Sequence, residues 1–227
     1  MTSTIRSAED WASVPDEVDD LFFELRVAPV SVQARGTAKA ELTKAIRALT
    51  KPCAFVFTND VIVEITWHIS EEARYESDAS ADVDNIIKPL LDAVSGPEGV
   101  LVNDCQVQSV TSYWVGARAN EQALSIRIRA LLEGFKISKC HINFIKYAPA
   151  LCIPIDTSID RAALARFGQI VKTLLDTRSE VDRQTGSSEA GRSLMPAQRV
   201  FHHSRAKEFP IIDYDAFLRR YVDAATD

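Results

Sequence analysis

Residues 36–69 read GTAKAELTKAIRALTKPCAFVFTNDVIVEITWHI, and this stretch decides the fold. In its first half, apolar residues recur every three or four positions, which predicts an amphipathic helix that Pro52 ends. In residues 61–69, apolar and polar residues alternate, as a half-buried strand requires. A helix that leads directly into two strands, CAFVF and VIVEITWHI, is typical of an α+β domain.

The flanking sequence extends this pattern on both sides. LFFELRV (21–27) has strand composition, and DVDNIIKPLLDAVSG (82–96) has a second helical stripe that the Gly-Pro pair at 96–97 closes. QVQSVTSYWVGAR and ALSIRIRAL alternate like two antiparallel strands joined by a polar turn, whereas residues 70–81 have no apolar period and predict a solvated loop. We therefore expect a two-layer α+β domain with a mixed or antiparallel sheet and both helices packed on one face.

The chain of 227 residues is longer than one such domain needs. We predict a loose acidic leader over residues 1–19, the α+β domain over 20–133 and a mostly helical C-terminal extension over 134–227. Within the extension, KCHINFIKY predicts a strand, residues 159–177 an amphipathic helix, 178–198 a mobile linker and DYDAFLRRYVDAA a short final helix.

Composition excludes several classes of protein. The sequence has no apolar run of about eighteen residues or more and no signal-peptide core, which predicts a cytoplasmic protein without a membrane span. The four cysteines form no CxxC pair, so we expect reduced, mostly buried thiols and no zinc ribbon. The net charge of −6 argues against indiscriminate coating of nucleic acid, and residues 1–133 carry 12 Lys and Arg against 21 Asp and Glu.

Three aspartates are the candidate metal-binding residues of the sequence. Asp82 and Asp84 stand two residues apart at the start of the second helix, and Asp104 follows a short apolar strand. Carboxylates that converge in this way make a hard-oxygen site suited to Mg²⁺, which takes few protein ligands and keeps several waters. Lys88 lies one helical turn after Asp84, where its ammonium faces the acids. Such a site is suited to phosphodiester hydrolysis.

The same residues carry a family resemblance. DVDNIIKPLLDAVSG followed by GVLVNDCQV resembles the signature of the RusA family of Holliday junction resolvases, and the likeness covers residues 20–133. The resemblance implies a RusA-like fold, metal-binding acids at Asp82, Asp84 and Asp104, and a catalytic lysine at Lys88. It also implies a homodimer that acts on four-way DNA junctions in recombination and repair. The family's acidic pair is Asn103–Asp104 here, so the first acid is an amide.

Simpler interpretations stand beside this one. Asp82 or Asp84 alone would be read as a helix N-cap, and Lys88 as a solvated lysine. Asn85 is as consistent with closing the turn around the acids as with touching DNA. A non-catalytic junction-binding or regulatory protein on the same fold is the rival function.

The C-terminal extension carries one basic tract. RVFHHSRAK includes Arg199, Arg205 and Lys207, which suggests an auxiliary contact with DNA phosphates, and a solvated linker is the alternative.

Overall fold

The computed structural model describes residues 3–5, 19–27, 30–31, 33–34, 36–76, 82–118 and 121–222. The chain forms two compact units, residues 1–139 and 140–227. The first unit contains the following elements: β1 (Ser3–Ile5), β2 (Asp20–Leu25), α1 (Gly36–Thr50), β3 (Phe55–Phe57), β4 (Val61–Ile69), α2 (Glu71–Tyr75), α3 (Val83–Ala93), a 3₁₀ turn (Asp104–Gln106), β5 (Val107–Gly116), β6 (Ala123–Ala130) and β7 (Lys136–Ser138).

The main sheet of the first unit has the order β1-β2-β6-β4-β5. β4 pairs in parallel with β5 and antiparallel with β6, so the sheet is mixed, as predicted. β5 and β6 run antiparallel to each other, as predicted, but they do not pair, because β4 lies between them. Alternating apolar residues specify that a segment is a strand, but they do not specify which strand lies beside it.

Both long helices of the first unit pack on one face of this sheet, which confirms the predicted two-layer arrangement. The shared core takes Leu42 and Ile46 from α1, Ile86 and Leu90 from α3, and the alternate residues of β4 such as Ile65. These five side chains are at most 3% exposed, and burial of each contributes about 1.5–3 kcal/mol. Hydrophobic burial therefore fixes α3 against the sheet, and with it the acids at the start of that helix.

Several boundaries differ from the sequence-based prediction. The predicted leader contains β1, which pairs in parallel with β2. The predicted loop at 70–81 contains α2, which the Ser70 side chain caps, although residues 77–81 lie outside the described residues. The first unit also extends to residue 139, because β7 pairs with β3 and holds residues 136–138 against it.

The second unit is built on a sheet of order β10-β9-β8-β11. Its elements are β8 (Ile142–Lys146), β9 (Leu151–Asp156), α4 (Arg161–Thr185), β10 (Phe201–His202), α5 (His203–Ala206), β11 (Ile211–Asp213) and α6 (Tyr214–Tyr221). Helices predominate, as predicted, but only β8 was expected among the strands.

No helix in the described part of the chain is long and apolar enough to cross a membrane.

The predicted mobile linker at 178–198 is wrong. α4 continues through Thr185 and ends at Gly186, whose φ of 65° lies in the left-handed region that glycine favours. The polar residues here form the exposed side of a helix, where Arg183 donates to Glu180 at 2.6 Å. Asp182 accepts a hydrogen bond from the Gly191 backbone N–H, which folds the following segment back onto the helix.

Gly168 marks a close approach of α4 and α6. A Cβ added at Gly168 would lie 2.3 Å from Cε1 of Phe217, a side chain that is 0% exposed. Because the ring is packed on all sides, Gly168→Ala should lower the free energy of unfolding by about 1–3 kcal/mol, despite the higher helix propensity of alanine. Chemical denaturation measures this change, with exposed Gln169→Ala as control. A Gly168→Ala protein as stable as the control would contradict the packing.

Candidate active site

The loop that carries Asp104 is held by the side chain of Gln106, which is 0% exposed. Its Nε2 donates to the carbonyl oxygens of Phe57 at 2.9 Å and Asn59 at 2.7 Å. Its Oε1 accepts from the backbone N–H groups of Val102 at 2.7 Å and Asn103 at 3.1 Å. The amide thus makes four hydrogen bonds to backbone, which join the end of β3 to the loop before the 3₁₀ turn.

Asn103 caps the 3₁₀ turn that begins at Asp104. Its Oδ1 accepts a hydrogen bond from the Cys105 backbone N–H at 3.2 Å, and Gln106 completes a reciprocal capping box. An aspartate at position 103 would offer the same kind of oxygen acceptor. The Asn103 amide therefore fills a structural position in this loop.

Lys88 bridges two carboxylates in front of this loop. Its Nζ donates to Oδ2 of Asp104 at 2.6 Å and to Oδ1 of Asp92 at 2.5 Å. Partial burial lowers the pKa of Lys88, but the hydrogen bonds to Asp104 and Asp92 outweigh this effect, so its pKa is raised. The lysine is therefore a fixed positive charge near neutral pH.

Asp82 and Asp84 lie at the exposed N-terminal end of α3. Asp82 occupies the N-cap position, but its carboxylate makes no capping hydrogen bond, and Asp84 lies in the first turn. The alternative in which Asp82 only caps a helix therefore lacks its hydrogen bond. The helix begins at Val83 although Pro89 lies inside it. Both acids benefit from the positive end of the helix dipole.

Asp82 and Asp84 lie at the start of α3, and Asp104 lies at the start of the 3₁₀ turn. Among the described residues, no group of three or more His, Cys, Asp or Glu side chains is arranged to hold a metal ion. Asp104 is engaged by Lys88, whereas Asp82 and Asp84 stand at the helix start. The donor atoms are of the type that Mg²⁺ prefers, but a cage of three carboxylates is absent from this part of the chain.

Of the remaining predicted residues, one lies in the first unit and three lie in the second. Asn85 lies half-buried in the first turn of α3, where its backbone N–H donates to the Asp82 carbonyl oxygen at 3.1 Å. In the second unit, Arg199 lies over the Phe201 ring at 5.6 Å, and partial burial lowers its pKa. Arg205 and Lys207 are exposed.

Two residues of the site were not predicted from the sequence. Asp92 is the second partner of Lys88, and its spacing of four residues on a helix is the signal that would have found it. Gln106 is the second, and local pattern does not reveal its role because two of its four hydrogen bonds reach segments far away in sequence.

Residues 32–129 match the model of the family described as endodeoxyribonuclease RusA. The matched part contains α1, α3, the 3₁₀ turn and nearly all of β6. No curated protein matches the chain.

Gln106→Ala should destabilise the first unit and loosen the loop that carries Asp104. The change leaves up to four backbone groups without their partner, and each buried group left unsatisfied costs about 1–3 kcal/mol. Chemical denaturation and hydrogen exchange at Val102 and Asn103 measure the effect, with exposed Gln108→Ala as control. Equal stability and equal exchange in the two variants would show that the amide does not hold the loop.

Proposed function

We propose that this chain, whose residues 32–129 match the RusA family of endodeoxyribonucleases, hydrolyses phosphodiester bonds in branched DNA. The observation that carries the proposal is the contact between Lys88 and Asp104 inside the matched segment. This contact joins α3 to the loop that carries Asp104. The exposed Asp82 and Asp84 lie at the start of the same helix.

The charge of the site explains why a metal is part of the proposal. Asp82, Asp84, Asp92 and Asp104 outnumber Lys88, so a DNA phosphate that approached these groups alone would be repelled. We propose Mg²⁺ as the cofactor, held by Asp82, Asp84 and Asp104 together with water. When bound, such an ion neutralises phosphate charge and lowers the pKa of a water molecule.

Lys88 contributes through its charge. Because its raised pKa keeps the ammonium protonated, it is unsuited to take a proton from water. A protonated amine at hydrogen-bond distance from phosphate stabilises the charge that develops on the phosphoryl or leaving oxygen. Asp92 is then a positioning residue, since it shares the lysine with Asp104.

The finer features of the substrate rest on the family resemblance. We propose a four-way junction as the preferred substrate and a homodimer as the active form, because two sites are needed to nick two symmetric strands. Asn85, next to Asp84, would contact the DNA near the scissile phosphate.

The second unit supplies a further proposed contact with DNA. Arg205 and Lys207 present exposed charges to solvent around α5. Arg199 belongs to the same proposal, although its guanidinium lies over the Phe201 ring and is partly withdrawn from solvent. Removal of the two exposed charges therefore tests the proposal most directly.

A non-catalytic junction-binding protein is the second candidate function. It is favoured by one observation, namely that the described residues contain no group of three acids arranged for a metal. Such a protein would bind junctions equally well with and without Mg²⁺ and would leave every strand intact.

Asp84→Asn should reduce Mg²⁺-dependent cleavage of a labelled four-way junction by about 100-fold or more, because it removes a proposed metal ligand. Binding in EDTA should stay equal or improve, since one negative charge near phosphate is lost. Asp215→Asn, at an exposed position of α6, is the control. Undiminished cleavage by Asp84→Asn would contradict its role, and no cleavage by the unmodified protein would favour the second candidate.

The double variant Arg205→Gln and Lys207→Gln should weaken junction binding and lower the slope of log K against log salt by about 2. The control is Arg219→Gln with Arg220→Gln, which removes the same charge from α6 of the same unit. Fluorescence anisotropy in EDTA at several salt concentrations provides both quantities. If the two double variants have the same affinity and slope, the proposed contact around α5 is wrong.

A further inference from the structure

The outer side of α1 carries a stripe of positive charge, formed by Lys44 and Arg47 in the helix and by Lys51 directly after its last residue. The Lys51 backbone N–H still donates to the Arg47 carbonyl oxygen at 2.8 Å, so Lys51 continues the helical spacing. Their spacing of three and four residues places them on one side of the helix, opposite the buried Leu42 and Ile46. At about 1.5 Å of rise per residue, the stripe spans about 10 Å along the helix axis. This length corresponds to about three steps of 3.4 Å along one strand of B-DNA.

Small residues separate these cations. Ala40, Thr43 and Ala48 lie beside them and, together with Glu98, line an open cavity of about 520 Å³. Ala40, Thr43 and Ala48 have short side chains, so none of them obstructs access to the positive groups. A rod-shaped polyanion could therefore approach all three cations together.

Glu98 orders the stripe without neutralising it. Lys51 lies 2.7 Å and Arg47 3.7 Å from the Glu98 carboxylate, and their side chains are 68% and 35% exposed. One acid thus faces two cations, while exposed Lys44 makes no ion pair with any described residue. Glu41, also exposed, lies at the edge of the stripe, one turn before Lys44.

The stripe stands out against its surroundings. Acidic residues are in clear excess in residues 1–133, so a run of three cations there is not a consequence of general basicity. It also adjoins the segment that leads to the candidate active site. The Thr50 hydroxyl donates to the Glu98 carbonyl oxygen at 2.9 Å, and Glu98 lies on the connection from α3, which carries Lys88, to Asp104.

We propose that Lys44, Arg47 and Lys51 bind the phosphate backbone of one arm of the DNA substrate. This inference rests on the proposed function and deepens it, because it assigns a substrate contact outside the acidic cluster. The stripe contacts phosphates and carries no base-specific groups, so it binds double-stranded arms irrespective of sequence. It supplies attraction for DNA that the four acids near Lys88 oppose.

The test compares two variants that lose the same charge. The stripe variant carries Lys44→Gln, Arg47→Gln and Lys51→Gln, and the control carries Arg166→Gln, Lys172→Gln and Arg183→Gln on α4 of the second unit. Affinity for a labelled four-way junction is measured by fluorescence anisotropy in EDTA over a range of salt concentrations. The affinity of the stripe variant should be lower by about tenfold or more, and its slope of log K against log salt should be smaller in magnitude by about 2 to 3. The slope of the control should change by less than about 1.

A single charge reversal distinguishes a lost DNA contact from a folding defect in the triple variant. Lys44→Glu should also weaken binding and lower the slope, because Lys44 stabilises no described ion pair and its replacement leaves the Glu98 contacts intact. Equal slopes for the stripe and control variants would overturn the inference while leaving the proposed function standing. If the unmodified protein bound no DNA, both the proposed function and this inference would fail.

Discussion

The buried amide of Gln106 is the constraint on which the candidate site depends. A glutamine without solvent exposure is tolerated only when its polar atoms are paired, and here each atom bonds to two backbone groups. These bonds hold the end of β3 and the loop before Asp104 together, although they are almost fifty residues apart in sequence. Asp104 therefore has a defined position before any ligand binds.

The ion pairs of Lys88 complete this arrangement with weaker forces. Lys88 and Asp92 are more than half exposed, so their pair contributes little to the stability of the fold. The pair with Asp92 instead positions the Lys88 ammonium, which stays beside the Asp104 carboxylate, a group that is only 19% exposed. Core packing and the Gln106 amide thus provide the rigid support, and the charged groups above them remain accessible to solvent.

Sequence periodicity predicted those elements whose structure follows from local pattern. The bounds of α1 and β4 agree with the prediction because apolar residues recur regularly along each, every three or four positions in α1 and every second position in β4, with one side buried. The order of the strands was not predictable in this way, since β4 separates β5 from β6 through pairings distant in sequence. The polar end of α4 was mistaken for a linker because ion pairs and a Gly186 cap replace apolar contacts there.

The candidate site also has features that follow from the local sequence and features that do not. Asp104 and Lys88 were predicted from spacing and resemblance, and the structure places them in contact. Convergence of Asp82 and Asp84 with Asp104 was expected from their positions at a helix start and a strand end, yet the described residues form no such group. Spacing alone fixes which segment a carboxylate occupies but not the direction of its side chain. In a site with four acids and one lysine, mutual repulsion favours separated carboxylates unless a cation offsets it. The position of Lys88 between Asp92 and Asp104 is therefore what electrostatics favours for these residues by themselves.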